Sequence, residues 1–333
     1  MTSHRFDVLT IGNAIVDVLS HTEDDFLVRE ELVKGSMRLI DAVEAERLYS
    51  HMGPSVEISG GCAGNTAAGC ASLGSRTAFI GKVADDPLGG IFTHDIRAAG
   101  VSFETEPLLE GEPTARSMIL ITPDGERTMN TFLGACQQLT PADIDPDVVA
   151  ATSITYLEGY LWDPPLAKEA FRKASKIAHD AGREVSLTLS DSFCVDRFRD
   201  EFLDLIKTGA VDVVFANEHE LHALYQTADF DTALAALRAD CRLAAVTLGE
   251  KGSLIVRGEE TVEIAAEPVE KIEDLTGAGD LFASGFLNGY AAGADLAVCG
   301  RLGSIAAAEI ISHIGARPAA RLKDLAAERG IRI

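Results

Sequence analysis

Short β-branched runs alternate with amphipathic helical stretches along most of this chain. Extended runs are read at 7–11, 77–80, 154–158, 184–189, 211–216, 244–248 and 253–256, with helical patterns between several of them, as at 165–181, 198–207 and 232–239. Strands that are apolar at nearly every position and separated by helices imply a mainly parallel sheet covered on both faces, so the pattern predicts an α/β fold. Ligands of such sheets collect at the C-terminal ends of the strands. The segments 12–17, 217–220, 247–252 and 276–280 follow, or are expected to follow, such ends.

Four segments break this rhythm. Residues 17–22, 35–40, 114–122 and 126–133 read as extended but are poorly placed for crossovers, and Pro123-Asp124-Gly125 is a good hairpin turn between the last two. They are expected to form a small separate sheet. The chain shows no internal repeat and no low-complexity tract.

Composition narrows the class of protein. A chain of 333 residues with 47% hydrophobic positions can bury one large or two ordinary domains. Its 29 basic and 52 acidic residues give a net charge of −23, which repels nucleic acid and anionic membranes, so neither is expected as a partner. The same charge repels nucleotides at long range, so any nucleotide site must carry its own local positive potential. The 6 cysteines are scattered without a C-x-x-C pair and read as reduced core thiols of a cytoplasmic protein. The N-terminus runs straight into a strand without the apolar core of a signal peptide, and no run reaches the length of a membrane span.

The candidate chemistry begins with Asp274-Leu275-Thr276-Gly277-Ala278-Gly279-Asp280, which leads into an apolar helix. Amides at a helix start point outward, and a turn stripped of side chains lets them surround an anion. Asp280 sets a carboxylate beside that hole, where a base taking a proton from an attacking hydroxyl belongs. An ordinary first-turn carboxylate would look the same. Gly60-Gly61-Cys62-Ala63-Gly64-Asn65 is a second glycine cluster, and Asn65 offers hydroxyl groups both a donor and an acceptor. Asp17, beside an apolar Val-Leu pair, needs partners if buried, and ligand hydroxyls would supply them. Asn217 and Glu220 fit a capping box. His219 and His222 do not form H-E-x-x-H, which argues against zinc. Thr247 to Gly252 is, by itself, a strand end and a turn.

The segments 60–89 and 274–285, in this order and about two hundred residues apart, resemble the two signatures of the ribokinase-like, or PfkB, carbohydrate and nucleoside kinases. The similarity runs over nearly the whole chain. It implies a ribokinase-like α/β domain of residues 1–13, 59–110 and 137–333 with a β-sheet lid of residues 14–58 and 111–136. By resemblance Asp280 is the catalytic base, and the amides of Gly277, Ala278 and Gly279 form the anion hole. Asn13, Asp17, Gly60, Gly61, Asn65, Arg127, Leu133 and Tyr160 would bind the acceptor, with Arg127 reaching the phosphate on closure. Asn217, Thr247, Gly249, Gly252 and Thr276 would contact ATP, and Glu220 would organise Mg²⁺ through water. K⁺ near Asp274 is a further candidate ion. Leu275 departs from the small polar residue more usual in the family.

Within that family, Gly-Asn-Ala-Ile-Val-Asp at 12–17, Asp124 to Arg127, Glu158-Gly159-Tyr160 and His313 to Pro318 look most like adenosine kinases. Ile15, Met129, Phe132, Leu133, Tyr160 and Trp162 are candidates for packing a purine. The expected reaction is γ-phosphate transfer to a ribonucleoside by a monomer or homodimer, with a ribokinase- or fructokinase-like sugar kinase as the alternative. A non-catalytic nucleoside-binding protein is a third reading, which the intact Asp280 disfavours. Neither a dinucleotide fingerprint after the first strand nor a P-loop string is present.

Overall fold

The computed structural model describes residues 4–332. Its strands are β1 (Phe6–Ile11), β2 (Ile15–His21), β3 (Met37–Leu39), β4 (Val56–Gly60), β5 (Thr77–Ile80), β6 (Val101–Phe103), β7 (Ala115–Ile121), β8 (Arg127–Phe132), β9 (Thr152–Glu158), β10 (Glu184–Thr188), β11 (Val213–Asn217), β12 (Leu243–Thr247), β13 (Ser253–Arg257) and β14 (Glu260–Ile264). Nine of them form one sheet in the order β14-β13-β12-β11-β10-β9-β1-β5-β6, and five form a second in the order β3-β8-β7-β2-β4. The large sheet is parallel from β6 to β12 and antiparallel only at β13 and β14. This is the mainly parallel α/β sheet with a small second sheet that the periodicity predicts.

Each side of the large sheet carries its own core. Leu9, Ile11, Leu157, Val185 and Leu187 pack on one face against Trp162, Phe171 and Phe202, and Val8, Phe79, Tyr156 and Phe215 pack on the other against Phe92 and Phe286. Trp162 is fully buried, so it belongs to the core rather than to a ligand surface. Three strands are invisible to the sequence pattern: β4, β6 and β14. All lie at sheet edges, β6 has only three residues, and the other two are interrupted by Glu57, Glu260 and Glu263, so none shows a buried run. The helix expected at 198–207 starts earlier, at Ser192, with a break at Phe198 (φ −122°, ψ 18°).

The small sheet is covered on one face only. The helices Asp24–Arg29 and Ala42–His51 bury Phe26, Leu27, Ala45 and Leu48 against Met118, Leu120 and Phe132. Cross-strand partners share a face, so Asp17, Ile58, Ser117 and Thr131 lie together on the opposite side, with Leu19, Ile119 and Met129 one step along.

Two helices meet at the C-terminal edge of the large sheet. The helix Cys62–Leu73 lies against the helix Ala278–Ala291, and a Cβ on Gly69 would stand 2.3 Å from Ser284 Oγ. On its other side the second helix packs backbone to backbone on the helix Leu296–Ile311, where a Cβ on Gly285 would stand 2.3 Å from the Leu302 carbonyl oxygen. Main-chain atoms cannot rotate away as a side chain can. Gly285→Ala is expected to lower stability by about 1–3 kcal/mol or more through overpacking; a denaturant midpoint equal to that of the parent protein would show that the two helices can separate freely.

Candidate active site

The helix Ala278–Ala291 begins at Gly277, whose φ of 79° places it in the left-handed region that a side chain disfavours. That turn aims the first amides of the helix outward. Among the described residues the amides of Gly277, Gly279 and Asp280 have no acceptor, whereas Ala278 N–H donates to the Leu275 carbonyl at 3.2 Å. Three amides are thus free to bind an anion, and the fourth, which the sequence reading had placed in the same hole, already has a partner.

Asp280 stands in this first turn, partly exposed at the mouth. Its Oδ2 accepts a 2.9 Å hydrogen bond from Asn65 Nδ2, and its carbonyl accepts from Thr66 Oγ1. Burial pushes the carboxyl up to about 6, while Asn65, the neighbouring Cys62 thiol and the Arg317 guanidinium pull it back. A carboxylate in this range is ionised at neutral pH and still basic enough to accept a proton.

The second glycine cluster shapes the opposite wall. A Cβ on Gly60 would stand 2.4 Å from an Asp17 oxygen, so the missing side chain gives the carboxylate its room. Gly61 (φ 79°) starts the helix Cys62–Leu73, and its Cβ would stand 2.2 Å from the Asn13 carbonyl. Asn13 is fixed in turn by Glu158 at the end of β9: its Nδ2 donates to Oε1 at 2.7 Å and its amide to Oε2 at 3.2 Å, and Ala63 N–H donates to the same Oε2 at 2.9 Å. Burial lifts Glu158 to about 7 despite these donors.

Asp17 comes from β2 of the small sheet. Burial raises it to about 7, against the pull of Arg317 and Arg127 and with a push from Asp280. Arg317, on the C-terminal loop, donates from Nε to the Ser59 carbonyl at 2.9 Å, from Nη2 to Ser59 Oγ at 2.8 Å, and to the Gly64 carbonyl. Asp95 holds Ser59 through its amide and hydroxyl. Burial lowers Arg317 to about 10, and it stays charged. Arg127, the first residue of β8, crosses to the glycine turn: Nη1 is 2.8 Å from Asp274 Oδ2 and 3.3 Å from Thr276 Oγ1. The small sheet therefore sits closed over the turn.

The other half of the cleft follows the strand ends toward β12. Asn217 and Thr247 are register partners on β11 and β12. At about 4.8 Å per strand, β12 lies roughly 19 Å from β1, so these residues stand well away from Asn13. Asn217 and Glu220 close a capping box: Glu220 N–H donates to Asn217 Oδ1, and both Glu220 oxygens accept from Asn217. Burial, with Asp191 nearby, lifts Glu220 to about 7. Asp191 accepts from the Tyr160 hydroxyl at 2.9 Å, and Tyr160 N–H donates to Oγ of Ser190, a non-glycine residue at φ 74°. Gly249 (φ 61°) and Gly252 (φ 92°) shape the turn after β12. Leu133 follows β8 and is partly buried.

The residues expected from sequence thus separate into two groups. Asn13, Asp17, Gly60, Gly61, Asn65, Arg127, Thr276 and Asp280 converge around the helix starts, while Asn217, Glu220, Thr247, Gly249 and Gly252 line the far strand ends. Glu158 and Arg317 were not expected to take part. Glu158 did carry a signal, a carboxylate ending an apolar strand. Arg317 lies in the segment 313–318 that carries the family resemblance, but nothing local assigns it a role, because its partners lie more than 250 residues away. One reading needs correction: five cysteines are buried, but Cys62 is partly exposed beside Asp280 and is no core thiol. Burial and the adjoining carboxylates push its thiol well up, so it stays protonated.

Comparison with known proteins identifies the family and the fold. The model of the pfkB family carbohydrate kinases matches residues 33–322. The crystal structure of adenosine kinase from Sinorhizobium meliloti superposes with a TM-score of 0.91 at 59% identity, over 98% of this chain and 100% of that one. A probable sugar kinase from Rhizobium etli CFN 42 gives a TM-score of 0.92 at 57% identity, over 98% and 99% of the two chains. Adenosine kinase of Saccharomyces cerevisiae is 25% identical, over 92% of this chain and 95% of the yeast one. The fold is ribokinase-like, and the chain belongs to the pfkB family of carbohydrate kinases, phosphotransferases that act on a sugar or a nucleoside.

Proposed function

We propose that the protein transfers the γ-phosphate of ATP to the primary hydroxyl of a ribonucleoside, adenosine being the best fit. The observation that carries this reading is the lid surface above the site. Its one carboxylate, Asp17, lies beside Ile58, Ser117 and Thr131, and the surface turns apolar one step along at Leu19, Ile119 and Met129. Such a surface suits a ligand with a diol at one end and a flat apolar base at the other, whereas a free sugar requires hydrogen-bond partners on every side. The similarity to the Sinorhizobium meliloti adenosine kinase supports the same choice.

In this reading Asp280 accepts the proton of the attacking hydroxyl, the oxygen bonds to the γ-phosphorus, and the bond to the β-phosphate oxygen breaks as ADP leaves. The free amides of Gly277, Gly279 and Asp280 stabilise charge on the moving phosphoryl group. Asn65 orients Asp280, Gly60 and Gly61 let the sugar approach the backbone, and Asn13 and Asp17 hold its hydroxyls. Tyr160 and Leu133 bound the base. Thr276 touches the phosphates, and Asn217, Thr247, Gly249 and Gly252 receive the nucleotide. Glu220, with Asp191 nearby, would hold a hydrated Mg²⁺. Because both Glu220 oxygens are already engaged by Asn217, these residues would hold it through water. The ion would neutralise the triphosphate when bound.

Asp280→Asn is expected to lower kcat by roughly 10²–10⁴-fold while nucleoside affinity persists; turnover like that of the parent would remove Asp280 from the role of base. The base must be ionised, so log kcat/KM should fall with unit slope below about pH 6. Arg317→Met should move that limb to higher pH, because the charge that lowers Asp280 is gone, whereas Arg317→Lys should leave it near its place. Equal limbs in both variants would confine Arg317 to a scaffolding role.

The same elevation has a stability consequence. Because the folded state holds the Asp280 proton more tightly than the unfolded chain does, ionisation destabilises the fold as pH rises from about 4 to about 6. Asp280→Asn should therefore raise the melting temperature at pH 8 and give no such gain near pH 4. A gain of equal size at both values would contradict the burial of this charge.

Acceptor choice is read by ADP release over adenosine, inosine, ribose and fructose. Adenosine is expected to dominate; a response confined to a free sugar would assign the chain to the sugar kinases.

A further inference from the structure

The sequence resemblance places K⁺ beside Asp274, and the geometry there does not accommodate it. Asp274 is buried in the closed structure. Its Oδ1 accepts from Thr276 N–H at 3.0 Å and Thr276 Oγ1 at 2.8 Å. Its Oδ2 accepts from Gly315 N–H at 3.1 Å and pairs with Arg127 Nη1 at 2.8 Å. A carboxylate offers about four lone-pair sites, and four donors already use them. Its charge is also matched, by a guanidinium that is itself nearly buried.

We infer that Arg127 serves as the cation of Asp274, delivered by the small sheet when it closes, so that lid closure takes the place of an alkali-metal ion at the glycine turn. The two halves of the pair come from different parts of the fold. Arg127 opens β8, just after the Pro123-Asp124-Gly125 turn of the lid, whereas Asp274 precedes the turn that carries the free amides. Opening the lid withdraws the only side-chain cation paired with Asp274 among the described residues. An alkali-metal ion could then occupy the exposed carboxylate, but only in the open state, and a ligand that binds the open state alone opposes closure. In the closed state Arg127 Nη2 is buried and, among the described residues, without an acceptor. The arginine can therefore hold Asp274 through Nη1 and still offer a donor to a ligand.

This inference is independent of which alcohol is phosphorylated, and one of its readouts needs no turnover. Melting of the nucleotide-free protein is compared in KCl and in tetramethylammonium chloride at equal ionic strength, for the parent, Arg127→Met and Arg127→Met with Asp274→Asn. The parent is expected to melt at the same temperature in both salts. Arg127→Met should melt higher in KCl, and the double variant should lose that response. In phosphotransfer assays the parent rate should agree between salts within about twofold, while Arg127→Met should be slow and activated by K⁺ at least about fivefold. A parent protein that melts higher in KCl, or whose rate depends on it, overturns the inference. So does an Arg127→Met protein that is folded by circular dichroism yet indifferent to K⁺. If no variant shows turnover with any acceptor while the melting pattern holds, it is the phosphotransferase reading that fails.

Discussion

The candidate site exists because two helices start at the same point in space. The helices Cys62–Leu73 and Ala278–Ala291 are far apart in the chain, and the 2.9 Å bond from Asn65 to Asp280 joins them at their first turns. That meeting requires backbones to approach more closely than side chains permit. Gly69 admits Ser284, and Gly285 admits the Leu302 carbonyl, so small residues set the distance between the helices and therefore the position of Asp280. Each helix also starts at a glycine with positive φ, which turns the chain sharply enough to leave amides facing the cleft. Packing density deep in the core and anion-binding geometry at the surface are thus two results of the same pattern of small residues.

Sequence patterning made much of this legible, and where it failed the cause was physical. Strands buried on both faces, such as β5, announce themselves because every position is apolar or small. The edge strands β4, β6 and β14 bury at most one face and carry charged residues or have little length, so nothing in their composition separates them from loops. Among site residues, Asp280 and Asn65 were readable because glycine clusters surround them. Arg317 was not, since its function depends on Ser59 and Gly64 lying next to it in three dimensions. Cys62 misled because a thiol amid small residues looks like core until the helix start beside it is known to open into a cleft.

Electrostatics explains why the lid and the site must be considered together. Asp17, Glu158, Glu220 and Asp280 are all pushed upward, in each case chiefly by burial. An excess of buried acid is destabilising unless ligands or cations relieve it. The cations that do so act on Asp17 and Asp280 and come from distant segments: Arg317 from the C-terminal loop for both, and Arg127 from the lid for Asp17. Arg317 is tied to Ser59 near the end of β4, the strand through which the small sheet joins the helix Cys62–Leu73.

A protein of net charge −23 has no long-range attraction for a polyanionic co-substrate, so whatever draws a nucleotide in must act at short range. Amides at a helix start do this without any net charge of their own. They also do not titrate, and so they hold an anion equally well whether Asp280 beside them is ionised or not. A lysine in the same place would attract phosphate more strongly, but it would also pull the carboxyl of Asp280 down and weaken it as a proton acceptor. In the proposed reaction, an anion hole built from backbone would keep phosphate binding and proton acceptance independent. The cation on the lid, Arg127, pairs with Asp274 at this turn rather than with Asp280.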